Sequence, residues 1–407
     1  MTEIPALATV FDADNHYWES SDAFTRHRDP AFLDRGLRVV ERAGEIRYFI
    51  GDQAHPILPG PGDAHPRPRP GALYDYFGGR GDKGSVGAEL ACEAPADHPD
   101  WFQRDARLRR MDEQGLEAVW MFPSHAVCVE GPMQPDLEAS IEVLRAFNRW
   151  LEEDWGFAYQ NRIFGVPFLT LSDLDRAIAE LEWCIGRGAR VVSIRNGPVF
   201  TPEGYRSPAD PRFDPFWARV QEAGVVVAPH AGFDDGYREV EAAIAQSWGY
   251  RGANRGGDTN AITREEPFLK MLMKHRLVHD FAAALVAHGL FERFAGLRIA
   301  FIENGGTWVG SLLHGLQVLR GQNPGMFASS PVDQFIEHCW VAPFVEDDVA
   351  ELAVHLPVER ILFGSDWPHA EGLAEPKDFL GGLGSFSAHD QQRIMHDNAS
   401  ELTRPAG

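Results

Sequence analysis

Short apolar runs alternate along most of the chain with longer stretches whose apolar residues recur every three or four positions. The runs "VVVAP", "RIAFI" and "RILFG" are almost continuously hydrophobic, as strands covered on both faces are. "RDARLRRMDEQG", "DLEASIEVLRAFNRWLEEDW", "DLDRAIAELEWCIGRG" and "HDFAAALVAHGLFERFAG" carry the helical period instead. Gly115, Gly186 and Gly188 stand where two of these helices should stop. "LRVVERAGEIRYFIGD" predicts a hairpin turning at Ala43-Gly44, and "SAHDQQRIMHDNASELT" a closing helix. Strand-then-helix units number about eight, the count that closes a (β/α)8 TIM-like barrel. The competing architecture is an open doubly wound sheet. No GxGxxG follows the first strand, so its dinucleotide-binding form has no support.

Two stretches break the alternation. They predict insertions after strand 1 and strand 5, roughly 24–100 and 233–277, lying as lids over the C-terminal face of one barrel domain spanning 1–407. The stretch from Asp52 to Pro99 is rich in Gly, Pro, His and Asp and is too long for an ordinary connection. The insertions carry or border Tyr74, Tyr76, Phe77, Trp101, Trp248, Tyr250, Arg251 and Arg255. Aromatic groups with a few arginines suit a large, partly apolar organic acid or its thioester.

The opening strand, "FDADNHYWES", places Asp12, Asp14 and His16 at every second position. Strict strand alternation puts all three on one face. Burying them there is expensive unless something compensates the charge. Three further strands end in groups able to bind a metal or move a proton. "VVVAPHAG" ends in His230, "RIAFIENGG" in Glu303, and "RILFGSDWPHAEG" in Asp366 with His369 and Glu371 beyond. One histidine at a strand end is more often a hydrogen-bonded structural residue than a ligand. Four polar ends on the same side of a barrel are better explained by a shared cation, which removes the burial cost. Asp14 and His16 are then expected to grip the metal, with Asp12 supporting them.

Composition narrows the partners. Lys plus Arg number 38 and Asp plus Glu 60, a formal charge of −22. Such a chain repels phosphate backbones and anionic membranes, so neither nucleic acid nor a membrane is an expected partner. No apolar run is long enough to span a bilayer, and the N-terminus lacks the pattern of a signal peptide. The four cysteines are scattered without a CxxC pair, which fits reduced thiols in a cytoplasmic protein. A homodimer is left open.

The segments "DADNH", "APHAG", "GLFERFAGLRIAFIENGG", "LFGSDWPHAEG" and "DNASEL" together resemble the amidohydrolase superfamily, and within it the branch typified by aminocarboxymuconate semialdehyde decarboxylase. The resemblance implies a barrel with a divalent metal (Zn, Mn or Fe) at its C-terminal face, acting on organic acids as a hydrolase or decarboxylase. It implies Asp14, His16, His230 and Asp366 as metal ligands, with Asp366 also catalytic, and the strand-end placement of Glu303 adds it as a further ligand or catalytic base. Asp14 stands where the family has the first His of an HxH pair. Glu303 stands where the decarboxylases carry a His that handles water, and "RVVSIRNG" offers no Lys for a carbamate bridge. Arg195, His125, His369 and Trp367 are the expected substrate-binding residues. The carboxylate-rich donor set also admits two irons, hence a nonheme di-iron monooxygenase acting on a large apolar acid or acyl-thioester. A metal-free binding protein is the remaining alternative.

Overall fold

The computed structural model of the chain describes residues 9–77, 92–232, 243–244, 246–248 and 271–405. Tyr250, Arg251, Arg255 and most of the second insertion lie outside the described residues. Among the described residues no helix is long and apolar enough to cross a membrane.

The Phe11–Tyr17 strand is buried along its whole length. It pairs in parallel with Ala118–Pro123, which pairs with Ile163–Gly165. A second parallel arc runs through Phe168–Leu169, Val191–Ile194, Val226–Val227, Ile299–Phe301 and Cys339–Val341. The two arcs meet in one stretch of chain. Pro167 lacks an N–H and interrupts it, so the stretch pairs with one neighbour before the proline and with the other after it. The eighth segment, 361–367, forms no ladder. Single bridges hold it, Ile361 to Val341 on one side and Trp367 to Asn15 on the other. Ala13 N–H also donates to Phe363 O, and Asp366 N–H to Asp14 O, at 2.9 and 2.8 Å. No continuous ladder therefore closes the two arcs.

The core explains why strands this short suffice. One buried cluster takes alternate residues from eight successive segments: Phe11 and Ala13, Trp120 and Phe122, Phe164 and Val166, Val191, Val226 and Ala228, Ala300 and Ile302, Trp340 and Ala342, and Leu362. The intervening residues, such as Val119, Met121, Val192, Val227, Phe301, Val341 and Phe363, pack with the helices in a second cluster. Buried apolar surface contributes about 25 cal/mol per Å2, so the two layers carry stability that the ladders do not.

Helix ends follow local chemistry. Asp136 and Asp173 cap the Leu137–Asp154 and Leu174–Ile185 helices by accepting N–H groups at their starts. Gly115, at φ 68°, ends Arg104–Gln114 in the left-handed conformation. "HDFAAALVAHGLFERFAG" is two helices, Arg276–Ala287 and Leu290–Arg293, parted at Gly289 with φ 69°. The predicted hairpin forms as Leu37–Arg42 paired with Glu45–Ile50, with Ala43 and Gly44 both at positive φ.

Strict alternation fails in the first strand. Its pairing register shifts between Asp12 and Asn15, and a bulge of this kind re-aims side chains. Phe11 and Ala13 both point into the inner cluster. Asp12 turns the other way and accepts from Asn15 Nδ2 at 2.9 Å, from Ser365 N–H at 2.9 Å and from Asp14 N–H at 3.1 Å. The expectation of three polar groups on one face is thereby corrected: Asp14 and His16 share a face, and Asp12 does not. Trp367 lies on the same outward side. Its ring lies under the Arg107 guanidinium, 4.4 Å away, and Arg107 donates to Asn15 Oδ1. Trp367 thus packs against the Arg104–Gln114 helix.

Candidate metal centre

Five elements bring their ends together. Asp14 and His16 come from the first strand, His230 from the loop after Val226–Val227, and Glu303 from the loop after Ile299–Phe301. Asp366, His369 and Glu371 come from the eighth segment and the loop beyond it. His16 Nε2 lies 3.2 Å from Asp14 Oδ1 and 3.4 Å from Asp366 Oδ1. His230 Nε2 is 3.2 Å from both Asp14 Oδ1 and Glu303 Oε2. His369 Nδ1 lies 2.6 Å from Asp366 Oδ1. Three overlapping triads result: Asp14, His16 and His230; His16, Asp366 and His369; Glu303, Asp366 and Glu371.

Local backbone geometry serves this convergence. Glu303 and Asp366 adopt left-handed conformations at φ 54° and 55°, each costing roughly 1–3 kcal/mol for a non-glycine residue. For Glu303 the turn matters most: Ala300 and Ile302 face inward, so plain alternation would turn Glu303 outward. Gly364 lets the eighth segment approach the first strand. A Cβ there would stand 2.5 Å from the Cβ of Asp14.

The donors satisfy one another only in part: His230 Nε2 meets Asp14 Oδ1 at 3.2 Å and His369 Nδ1 meets Asp366 Oδ1 at 2.6 Å. Both ring nitrogens of His16 are buried and lack a hydrogen-bond partner, although the residue is 1 % exposed. A buried polar group without a partner costs about 1–3 kcal/mol. Burial and then His369 hold His16 well below the ordinary histidine range. Burial pushes Asp366 well above the carboxylate range, and Glu371 and Asp14 push it further. Burial and then Asp366 do the same to Glu303. Asp14 differs: burial would raise it, but His16 and His230 more than reverse that. His230 rises despite its burial, because Glu303 and Asp14 face it. The unpartnered His16 nitrogens and the mutually repelling buried carboxylates in one place fit a divalent cation, which would satisfy the first and relieve the second. Each of the three triads offers donors close enough together to hold such an ion.

The remaining expected residues lie around this cluster. Asp12 ties the first strand to Ser365. His369 is fixed on its far side by Ser124, whose Oγ lies 2.8 Å from His369 Nε2 and donates to Tyr17 O at 2.6 Å. Because the hydroxyl proton is committed to Tyr17 O, Ser124 accepts from His369 Nε2–H. Arg195 stands beside His230 along the backbone, but its guanidinium lies 4.1 Å over Phe200 and donates to Pro198 O. His125 is outside the three triads. Its ring shares the Trp18 indole with His369, at centroid distances of 5.5 and 5.0 Å. Trp101 is no mouth residue: it is buried and stacked on His98 at 4.1 Å.

Sequence reading did not single out Ser124, Glu19, Tyr48 or Arg67. Ser124 carried a usable signal, since it closes the strand "WMFPS" just as His230 closes its own. Tyr48 and Arg67 had none, because their places depend on the first insertion folding back onto the 124–128 loop, and Glu19, just past the first strand, meets partners 106 residues away.

Comparison with known proteins agrees with this architecture. The family model described as Amidohydrolase matches residues 11–404. The chain is 38 % identical to an amidohydrolase from Mycobacterium avium subsp. paratuberculosis K-10 of known structure, covering 97 % of this chain and 99 % of that one at a TM-score of 0.88. It is 27 % identical over 313 residues to gamma-resorcylate decarboxylase of Rhodococcus jostii (strain RHA1), covering 74 % of this chain and 87 % of the relative. A dihydroxybenzoic acid decarboxylase from Polaromonas sp. JS666, solved with manganese and 2-nitroresorcinol, is 20 % identical, with a TM-score of 0.54 over 82 % of this chain and 92 % of that one. The chain belongs to the amidohydrolase family, and its fold is the α/β TIM barrel of that family.

Proposed function

We propose that the protein is a metal-dependent decarboxylase of a hydroxylated aromatic acid. The observation that carries this reading is the buried Asp14–His16–His230–Asp366 cluster, with both His16 nitrogens unpartnered. A likeness over three quarters of the chain to a relative named as a resorcylate decarboxylase supports the reaction. The ion would be held by Asp14, His16, His230 and Asp366, with Glu303 beside them. When bound, it supplies Lewis-acid polarisation of a substrate oxygen and a fixed positive charge.

The chain's own groups do the rest. Loss of CO2 leaves an electron pair on the ring carbon, which must take up a proton. Asp366 Oδ1 and His369 Nδ1 share a 2.6 Å contact across which a proton moves. Ser124 holds the His369 ring in place from Nε2. Glu303 is the second proton carrier, reaching the same space through its left-handed turn. Closure of the barrel around the site and a covering role for both insertions complete this reading. Metal-assisted hydrolysis uses the same groups. Decarboxylation is preferred because the relatives named above with a stated reaction are decarboxylases. The di-iron oxygenase has no such support.

The test is reconstitution of metal-free protein with Mn(II), Zn(II) or Fe(II), followed by CO2 measurement from 2,6-dihydroxybenzoate under nitrogen. Release of CO2 without oxygen is the expected result. A strict requirement for oxygen, or metal-loaded protein inert toward hydroxybenzoates, overturns the reading.

A further inference from the structure

Beside the metal cluster, across the Trp18 indole, lies a second buried group of polar side chains: Glu19, Tyr48, Arg67 and His125. Glu19 is fully buried. Its Oε1 accepts the backbone N–H groups of His125 and Ala126 at 2.8 and 3.0 Å. Its Oε2 has no hydrogen-bond partner of good geometry and lies 3.4 Å from His125 Nδ1. The Tyr48 hydroxyl lies 3.3 Å from that same nitrogen. Arg67 stacks 4.3 Å over Trp18, and burial together with Arg67 keeps His125 neutral.

A neutral imidazole carries one N–H, and its neighbours decide which nitrogen holds it. Burial pushes the Glu19 carboxyl up to about 7; once ionised it can only accept, whereas a phenol can donate or accept. Facing both, Nδ1 must carry the proton, and Tyr48 adapts. Nε2 then keeps its lone pair and is the ring nitrogen left to meet a ligand.

We infer that Glu19 is a positioning residue that fixes His125 with Nδ1–H toward itself, so that His125 Nε2 accepts a hydrogen bond from a ring hydroxyl of the substrate. The substrate class rests on the function proposed above; the positioning role does not. Glu19 also clamps the loop carrying Ser124, so one carboxylate sets two groups at the site. The two partners are 106 residues apart in sequence, which is why no local pattern announces them.

The test uses Glu19→Gln and Tyr48→Phe in the full chain. In Glu19→Gln the amide oxygen still accepts the two backbone N–H groups, so the loop stays clamped. The amide NH2 now faces Nδ1, which must accept, and the proton moves to Nε2. Nitrogen-15 spectra of the histidine rings at pH 8, with His125 assigned through His125→Gln, should show that switch in Glu19→Gln. Tyr48→Phe should leave the pattern unchanged. Affinity for 2,6-dihydroxybenzoate should fall ~10-fold in Glu19→Gln, while affinity for benzoate, which has no hydroxyl, should hold. An unchanged ring pattern in Glu19→Gln, or a switch in Tyr48→Phe, overturns the inference. Equal losses for both acids overturn the hydroxyl contact. A tautomer switch in a protein that binds neither acid would instead place the fault with the proposed substrate class.

Discussion

The two polar clusters on either side of Trp18 are built from the same materials and are finished differently. Around Asp14, carboxylates and imidazoles face one another, and the His16 nitrogens bond to nothing. Around Glu19, one oxygen takes two backbone N–H groups and the other faces a ring held by a phenol. Asp12 makes the contrast within one strand. It accepts from Asp14 N–H, Asn15 and both donors of Ser365, whereas the Asp14 carboxylate faces His16 and His230. Burial and residue type do not separate a ligand site from a structural one. The partners do: Asp12 is held by committed donors, whereas Asp14 faces two imidazoles.

The largest effect that sharpens this contrast is loss of the ion. His230→Ala removes the nitrogen shared by Asp14 and Glu303. Metal affinity should fall beyond the ~100-fold that changes in outer partners cost, as read by elemental analysis after dialysis against a chelator. Stoichiometric metal in the variant would break the assignment of the cluster.

Next comes the satisfied side. Asp12→Ala strands the Ser365 N–H and hydroxyl and the Asn15 amide inside the protein. Stability should drop by at least about 3 kcal/mol, since each buried donor left unmade costs about 1–3 kcal/mol, measured by urea unfolding of the metal-free protein. Comparable stability with selective metal loss would mean that Asp12 is a ligand after all. Ser124→Ala should act more weakly. It frees the far side of His369 without touching a donor of the first triad, so metal affinity should fall only ~10-fold. A loss as large as that of His230→Ala would put Ser124 inside the centre.

The sequence made one of these clusters readable and hid the other. His230 and Asp366 end near-continuous apolar runs, so their place at the barrel mouth follows from strand burial and chain direction alone. Glu303 was reached by the same rule, although its inward aim depends on a left-handed residue that no period predicts. Asp12 was misplaced because alternation assumes an unbroken register, and the bulge between Asp12 and Asn15 reverses its side. Tyr48 and Arg67 meet His125 only when the first insertion folds back across the barrel, and Glu19 reaches it from just beyond the first strand; such contacts leave no local period to read.

Trp367 gives the smallest effect and the finest discrimination. The run "GSDWPH" places it next to Asp366, so proximity in sequence suggests a wall of the substrate pocket. In the fold it falls on the other side of the segment, under Arg107 at 4.4 Å and Arg110 at 5.8 Å. Trp367→Phe keeps an aromatic face for Arg107 and removes part of the packing. The expected loss is about 1 kcal/mol of stability, the scale of one partly buried cation–π contact and its packing. Metal content should be unchanged, and so should KM for 2,6-dihydroxybenzoate, because the altered ring faces the Arg104–Gln114 helix and not the metal centre. A raised KM at unchanged stability would return Trp367 to the substrate pocket. It would also show that the outward side of the first strand, where Asp12 and Asn15 lie, is open to ligand.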